Sequence, residues 1–223
     1  SRFTRSQKAG SRSALEPLSE VYFALPRRKA DIPEGGESVN TQADESMTIP
    51  ASWPACSVAD VQNQLCAPGM PFEMEWVEIR GVPTRVWKNA HPNLAELARA
   101  GRQHGDATFL IYEEERVSFD GWFRAAALLA AHLQAQGVGK GDRVALAMRN
   151  LPEWPVAFFA IAAIGAICVP LNAWWTGPEL SYGLSNSGAK VLICDPERLD
   201  RAAPHFAELP ALEQVLVARA GGA

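Results

Sequence analysis

A tryptophan pair, Trp174-Trp175, directly follows an apolar run of strand character that ends at Leu171. In open α/β sheets, ligands bind beyond the carboxyl ends of the strands, and paired aromatic rings can form a wall of an apolar pocket. Aromatic side chains also contribute much of the packing inside cores. The sequence therefore favours core or subdomain packing for this pair and keeps ligand contact as the alternative.

A glycine-rich stretch, residues 137–142, contains three glycines and a lysine and so resembles a phosphate-binding loop. Such a loop follows a strand and opens a helix, because the amides at the helix N-terminus must face the anion. Here a helical pattern comes first, a strand pattern follows, and the Gly-Lys-Ser/Thr ending is missing. We interpret the stretch as a helix stop and turn, with Lys140, Asp142 and Arg143 as solvated charges.

Three consecutive glutamates, residues 113–115, could suggest a metal site or an acid/base pair. Side chains of adjacent residues on a strand point to opposite faces, so three in a row do not converge on one ligand. A solvated hairpin tip explains the three charges, and we predict no chemistry there.

Neither the histidines nor the cysteines have the spacing of a metal site or of a redox pair. They are His91, His104, His132 and His205, and Cys56, Cys66, Cys168 and Cys194. Cys168 and Cys194 lie in apolar strand-like runs, where a free thiol behaves as a small hydrophobe. We therefore predict a reduced, cytoplasmic protein without a metal site, in which none of these histidines is catalytic.

The composition is that of a globular protein with one large or two small domains: 223 residues, 48% hydrophobic and 21% charged. The formal net charge of -4 gives no basic field that would attract a polyanion. Nucleic acid is therefore not an expected partner.

Apolar periodicity predicts the elements of an α/β fold. A helix is expected over 93–100, a β-hairpin over 107–112 and 115–119, and a long helix that Ser118 caps and Gly137 ends. Strands at 144–148, 166–171, 190–194 and 214–218 then alternate with helices at 152–164, 178–185 and 196–208. This alternation indicates βαβ crossovers and a mostly parallel sheet.

Residues 154–178 carry no charge and are long enough as a run to span a bilayer. Gly165 and Pro170 interrupt the run, and Asn172 follows the second apolar part. These residues divide it into a helix and a strand of ordinary globular length. We therefore predict no transmembrane segment.

The first 92 residues differ in character from the rest. Residues 1–46 are rich in Arg, Ser, Pro and Gly and have too little apolar surface to order themselves, so a disordered extension is predicted. Because the first methionine is Met47, we hypothesise that native translation starts there. Prolines in residues 47–77 predict an irregular, peripheral segment, so that 47–92 forms an irregular part and 93–223 the α/β domain.

Several segments together carry a family resemblance. They are Gly137-Val-Gly-Lys-Gly-Asp-Arg-Val144, Asn150-Leu-Pro-Glu-Trp154, Gly165-Ala-Ile-Cys-Val-Pro-Leu-Asn172, Glu179-Leu-Ser-Tyr182 and Ser187-Gly-Ala-Lys-Val-Leu-Ile193. In order and spacing, residues 108–218 resemble the first part of the large N-terminal domain of class I adenylate-forming enzymes. These are the acyl-CoA synthetases and their relatives. The resemblance implies an incomplete N-terminal domain of the adenylate-forming fold.

The resemblance also implies a chemistry for the full-length enzyme, with ATP, Mg²⁺ and CoA as cofactors and a carboxylic, fatty acid as substrate. The family's phosphate-binding run, of the type Thr-Ser-Gly-Thr-Thr-Gly, does not occur in this sequence. No family functional residue can therefore be placed on this chain, and we expect a truncated, inactive fragment that binds none of these cofactors.

The expected partners of such a fragment are the remainder of its own N-terminal domain and a C-terminal domain. The alternative is a free-standing, non-catalytic α/β binding or interaction module derived from the same scaffold.

Overall fold

The structure, a computed structural model, describes residues 56–220 and the backbone of two short strands before them. The strands are β1 (Glu20–Phe23), β2 (Arg28–Lys29), β3 (Met74–Ile79), β4 (Val82–Trp87), β5 (Thr108–Tyr112), β6 (Glu115–Ser118), β7 (Arg143–Ala147), β8 (Ile167–Pro170), β9 (Val191–Cys194) and β10 (Gln214–Ala218). The helices are α1 (Val58–Leu65), α2 (Leu94–Gly101), α3 (Phe119–Ala135), α4 (Glu153–Ala163), α5 (Gly177–Ser187) and α6 (Pro196–Ala202). Residues 56–92 form one compact unit, and residues 93–220 with β1 and β2 form another.

A parallel sheet with the strand order β1-β10-β9-β7-β8 is the centre of the larger unit. Every neighbouring pair is parallel, with Val144 opposite both Cys168 and Val191. The predicted α/β class with βαβ crossovers is confirmed. Sequence periodicity indicated β7, β8, β9 and β10, whereas β1 lies in the stretch predicted to be disordered, and the strand order depends on contacts between distant segments.

Helices cover both faces of this sheet. Val144 and Leu146 of β7 pack in a core cluster with α2, α3 and α4, whereas Ala145 and Ala147 pack in a second cluster with α5 and α6. Burial on both faces is why the strands are continuous apolar runs without polar alternation.

The predicted hairpin is present as β5 and β6, which form an antiparallel sheet with β2. Tyr112 pairs with Glu115 across the turn, and the register shifts by a bulge between Thr108 and Leu110. Glu113 has a φ of 49° in this turn, a conformation that glycine or asparagine adopts more readily.

The predicted ends of the helices are largely confirmed. The Ser118 hydroxyl accepts a hydrogen bond from the Gly121 amide at 3.1 Å and caps α3, and Gly137 follows the end of α3 with a φ of 84°. The helix predicted over 196–208 is divided, because α6 ends at Ala202 and a 3-10 helix spans Ala203–Glu208. Pro204 lacks the amide proton that would continue the α-helical ladder.

The expectation of irregular structure over 47–77 is wrong for the residues that form α1 and β3. Ser57 and Asp60 form a reciprocal capping box at the start of α1, so the nearby prolines do not prevent a helix. β3 and β4 form a hairpin whose turn residues, Arg80 and Gly81, have φ angles of 52° and 79°. Two consecutive positive φ values are typical of a tight hairpin turn, and Gly81 between two β-rich runs was the overlooked sequence signal.

The expectation of disorder over 1–46 is wrong for β1 and β2. β1 pairs in parallel with β10, with Val21 opposite Leu216, and β2 pairs with β6. The edge of a sheet offers unpaired backbone groups, so a short strand can add to it. The other residues of the predicted extension, and the translation start hypothesised at Met47, lie outside the described residues.

The uncharged run at 154–178 is divided among α4, β8 and the start of α5, with loops between them. Among the helices that the structure describes, none combines the length and the hydropathy needed to cross a bilayer.

Candidate functional site

The carboxyl ends of β9, β7 and β8 meet at one edge of the parallel sheet. After β7 the chain enters α4, which packs on one face, and after β9 it enters α6, which packs on the other. In open α/β sheets, ligands bind in the crevice at the point where the connections change face. We call the residues that follow these three strands, 148–150, 171–175 and 195, the carboxyl edge.

An exposed cation and an aromatic ring lie together at the carboxyl edge. The guanidinium carbon of Arg149 is 3.8 Å from the centroid of the Trp174 ring, and Trp174 is 68% exposed. The Trp174 amide donates to Asn172 Oδ1 at 2.9 Å, which fixes the turn after β8. Such a pair offers a positive charge and a flat apolar surface to a ligand.

The structure separates the two tryptophans of the predicted pair. Trp175 packs against the second core cluster, as expected, and its ring lies close to Gly183 of α5. For Trp174 the expected core packing is wrong, because the turn at Asn172 directs the two neighbouring side chains differently.

A buried ion pair, Asp195 and Arg198, lies behind this surface. Asp195 is 5% exposed and Arg198 is 1% exposed. The Arg198 Nη1 donates to both carboxylate oxygens of Asp195, at 3.2 and 3.0 Å. The Asp195 carboxylate also accepts from the Arg149 amide at 3.0 Å and from the Arg198 amide at 3.0 Å, which caps α6.

Two arginines of α6, Arg198 and Arg201, hold the loop after β8. Arg198 Nε donates to the Ala173 carbonyl at 2.7 Å, and Arg201 Nη1 donates to the Trp175 carbonyl at 3.1 Å. Glu197 pairs with both arginines. The loop that carries Trp174 is therefore held through its backbone.

A second ionic cluster lies after β10, around Arg219. Its Nε donates to Glu153 at 2.9 Å, its two terminal nitrogens donate to Glu115 at 2.9 Å each, and the Tyr112 ring lies 4.9 Å from its guanidinium carbon. Burial by itself would lower the pKa of Arg219, but the hydrogen bonds to the two carboxylates raise it overall. The predicted solvated tip is confirmed for Glu113 and Glu114 and is wrong for Glu115, which this distant arginine binds.

The glycine-rich stretch is a turn between α3 and β7, as predicted, and Gly141 has a φ of 87°. Its charges are not merely solvated. Asp142 accepts from Lys190 at 2.8 Å and from the Gly139 amide at 3.0 Å, and these bonds lower its pKa. Arg143 donates to the carbonyls of Ser187 and Gly188, both at 3.0 Å, and thereby satisfies the end of α5.

All four cysteines are free. Burial raises the pKa of the Cys168 thiol to about 11, which suits the predicted role as a small hydrophobe. Burial also lowers the pKa of His132. In the described part of the chain, no group of three or more His, Cys, Asp or Glu side chains could hold a metal ion.

An apolar groove of about 300 Å³ lies between the end of β5 and the loop that enters α4, where Leu110, Tyr112, Leu151 and Trp154 line it. Its lining residues include Tyr112 and Asn150 but no charged side chain. Without a nucleophile or an acid/base pair, the groove has no chemistry of its own.

Comparison with known proteins gives the family. The family model described as AMP-binding enzyme matches residues 97–223. Among curated proteins, the chain is 37% identical over 115 residues to a long-chain-fatty-acid-CoA ligase of Salmonella typhimurium, covering 50% of this chain and 20% of the relative. It is 35% identical over 130 residues to the medium/long-chain-fatty-acid-CoA/3-oxocholest-4-en-26-oate-CoA ligase of Mycobacterium marinum, covering 58% of this chain and 24% of that relative.

Solved structures show the same scaffold. The anthranilate CoA ligase AuaEII, in complex with anthranoyl-AMP, aligns with a TM-score of 0.54 and 28% identity over 56% of this chain and 24% of that one. The N-terminal domain of FACL13 from Mycobacterium tuberculosis aligns with a TM-score of 0.54 and 27% identity over 56% of this chain and 33% of that one. The chain therefore belongs to the AMP-binding enzyme family and has the adenylate-forming scaffold of acyl-CoA ligases. It spans about a fifth to a quarter of the length of the curated relatives described above.

The charged residues that organise the carboxyl edge, Arg149, Asp195 and Arg198, were not among the residues predicted from the sequence. One signal was available, because an aspartate between an apolar strand and a proline, as at 194–196, is typical of a helix N-cap. No local pattern indicated that Arg149 would stack on Trp174.

Proposed function

We propose that this chain is the first part of the large N-terminal domain of an ATP-dependent acyl-CoA ligase. The match of the AMP-binding family model to residues 97–223 carries the proposal, and the relatives named fatty-acid-CoA ligases support it. Within it, residues 93–223 are the beginning of the AMP-binding domain, 47–92 precede that part in the chain, and β1 and β2 add strands to its sheets.

The proposed reaction has two steps. A carboxylate attacks ATP to give an acyl-adenylate and pyrophosphate, and the thiol of CoA then takes the acyl group and releases AMP. Both steps depend on positioning the reactants and on neutralising phosphate charge. We assign ATP, Mg²⁺ and CoA to the complete enzyme and none of them to this chain alone.

The substrate that we propose is a carboxylic acid, and specifically a fatty acid, in line with the names of the relatives. The carboxyl edge is the part of this chain that we expect to face bound reactants, because ligands bind there in open α/β sheets. The remainder of the N-terminal domain and a C-terminal domain are the proposed partners. Four free cysteines support a reducing, cytoplasmic location.

The first test is to sequence the encoding DNA beyond the codon for Ala223. An open reading frame that soon encodes a Ser/Thr/Gly-rich loop with a lysine would support the ligase proposal. An immediate stop codon would contradict it and favour the alternative, a non-catalytic α/β binding module on the same scaffold.

A further inference from the structure

The ion pair of Asp195 and Arg198 connects the ends of three neighbouring parallel strands. Asp195 directly follows β9, Arg149 lies two residues beyond β7, and Ala173 lies three residues beyond β8. Asp195 accepts the Arg149 amide, and Arg198 donates to the Ala173 carbonyl. Both side chains are almost completely buried, so the pair is part of the interior and not a surface contact.

Stability alone does not account for such a pair. The free energy lost when two charges leave water is about as large as the free energy gained from their attraction. A protein with well-packed apolar residues of similar volume in their place is therefore often as stable. Apolar side chains could not bind the Arg149 amide and the Ala173 carbonyl at once. What the pair adds is a fixed arrangement of three chain segments.

The arrangement has a defined result at the surface. The Asp195 carboxylate fixes the backbone at Arg149, and Arg198 fixes the backbone one residue before Trp174. Between these two anchored backbones, the Arg149 guanidinium carbon lies 3.8 Å from the centroid of the Trp174 ring. Groups held in place before binding lose less freedom when a ligand binds.

We infer that Asp195 and Arg198 are positioning residues, which hold Arg149 and Trp174 together as a preassembled cation and aromatic surface at the carboxyl edge. The role of that surface in binding reactants rests on the proposed function. The positioning itself depends only on the contacts of this chain.

The test uses ¹⁹F NMR of the full chain labelled with 5-fluorotryptophan. The chain has seven tryptophans, so the resonance of Trp174 must first be assigned. Trp174→Phe identifies the Trp174 resonance, and Arg149→Met gives its position without the stacked cation. Arg198→Lys keeps the charge but cannot bind both Asp195 and the Ala173 carbonyl as the planar guanidinium does. We expect it to move the Trp174 resonance over most of the distance to the Arg149→Met position.

Asp195→Asn is the second variant, and it should move the resonance in the same direction even if Arg198→Lys fails to fold. Arg143→Lys is the matched control, because Arg143 also binds backbone carbonyls but at the start of β7. It should leave the Trp174 resonance in place.

A folded Arg198→Lys or Asp195→Asn variant with the Trp174 resonance unchanged would overturn the inference, whatever happens to the melting temperature. A lower melting temperature alone would show a merely structural role. The resonance does not depend on ligase activity, so failure of the proposed function and failure of this inference give different results.

Discussion

Gly177 is the first residue of α5 and lies against the end of α6. A Cβ atom at this position would be 2.5 Å from the Arg201 carbonyl oxygen and 2.8 Å from His205 Nε2. Both distances are well inside van der Waals contact, and the nearer atom belongs to the backbone, which cannot rotate away. Gly177→Ala therefore requires α5 and α6 to separate locally.

Such overpacking costs roughly 1–3 kcal/mol. Alanine also lowers the conformational entropy of the unfolded chain, which stabilises the folded state by about 0.4–1 kcal/mol. The net loss in the free energy of unfolding is therefore about 1–2 kcal/mol. For a chain of this size, each kcal/mol corresponds to roughly 2–4 °C in Tm. We expect Gly177→Ala to lower the Tm, measured by circular dichroism, by about 2–8 °C.

Gly139→Ala is the matched control, because Gly139 has an ordinary φ and no atom lies within 4 Å of the added Cβ. Its Tm should equal or slightly exceed that of the unmodified chain. A Gly177→Ala variant as stable as Gly139→Ala would refute the close approach of α5 and α6.

Three further predictions concern charge, a thiol and a turn. Arg219→Met leaves the buried Glu153 without its cation and should lower the free energy of unfolding, measured in urea, by about 3 kcal/mol. Adding Glu153→Gln should recover most of this loss, and a double variant without recovery would contradict the pairing. With a pKa of about 11, the Cys168 thiol should react with a maleimide at pH 8 much more slowly than exposed Cys56. The rate at Cys168 should increase as the pH rises towards 11, and equal rates for the two cysteines at pH 8 would contradict the burial of Cys168. Arg80→Asn should raise the stability of the β3–β4 hairpin by about 0.5 kcal/mol, because asparagine tolerates the positive φ better than arginine. Hydrogen exchange of the hairpin amides measures this stability, and faster exchange in the variant would contradict the prediction.

Local patterns were sufficient to predict much of the larger unit. The strand predicted at 214–218 is β10 with the same bounds, because an apolar run buried on both faces has clear ends. Ser118 was predicted as the cap of α3 because a cap and its helix are adjacent in sequence. The hairpin of β3 and β4 was missed because the prolines in residues 47–77 indicated irregular structure, while the turn signal, Gly81, lies beyond them.

The arrangement of the carboxyl edge could not be predicted in the same way. The Asp195 carboxylate binds an amide 46 residues earlier, and Arg219 binds Glu115 across 104 residues. Those contacts exist only once the order β9-β7-β8 is known, and strand order is a tertiary property. Arg143 and Glu115 were taken for solvated charges because single-residue patterns do not show which backbone carbonyls or side chains the fold brings beside them.

We propose that this chain begins an ATP-dependent acyl-CoA ligase. The most direct measurement is to purify the product of the complete gene and incubate it with a long-chain fatty acid, ATP, Mg²⁺ and CoA, following AMP, pyrophosphate and acyl-CoA together. We expect equal amounts of all three products, each dependent on the fatty acid, and none from the 223-residue chain alone. A complete protein that binds these ligands but forms neither AMP nor acyl-CoA from any carboxylic acid would contradict it.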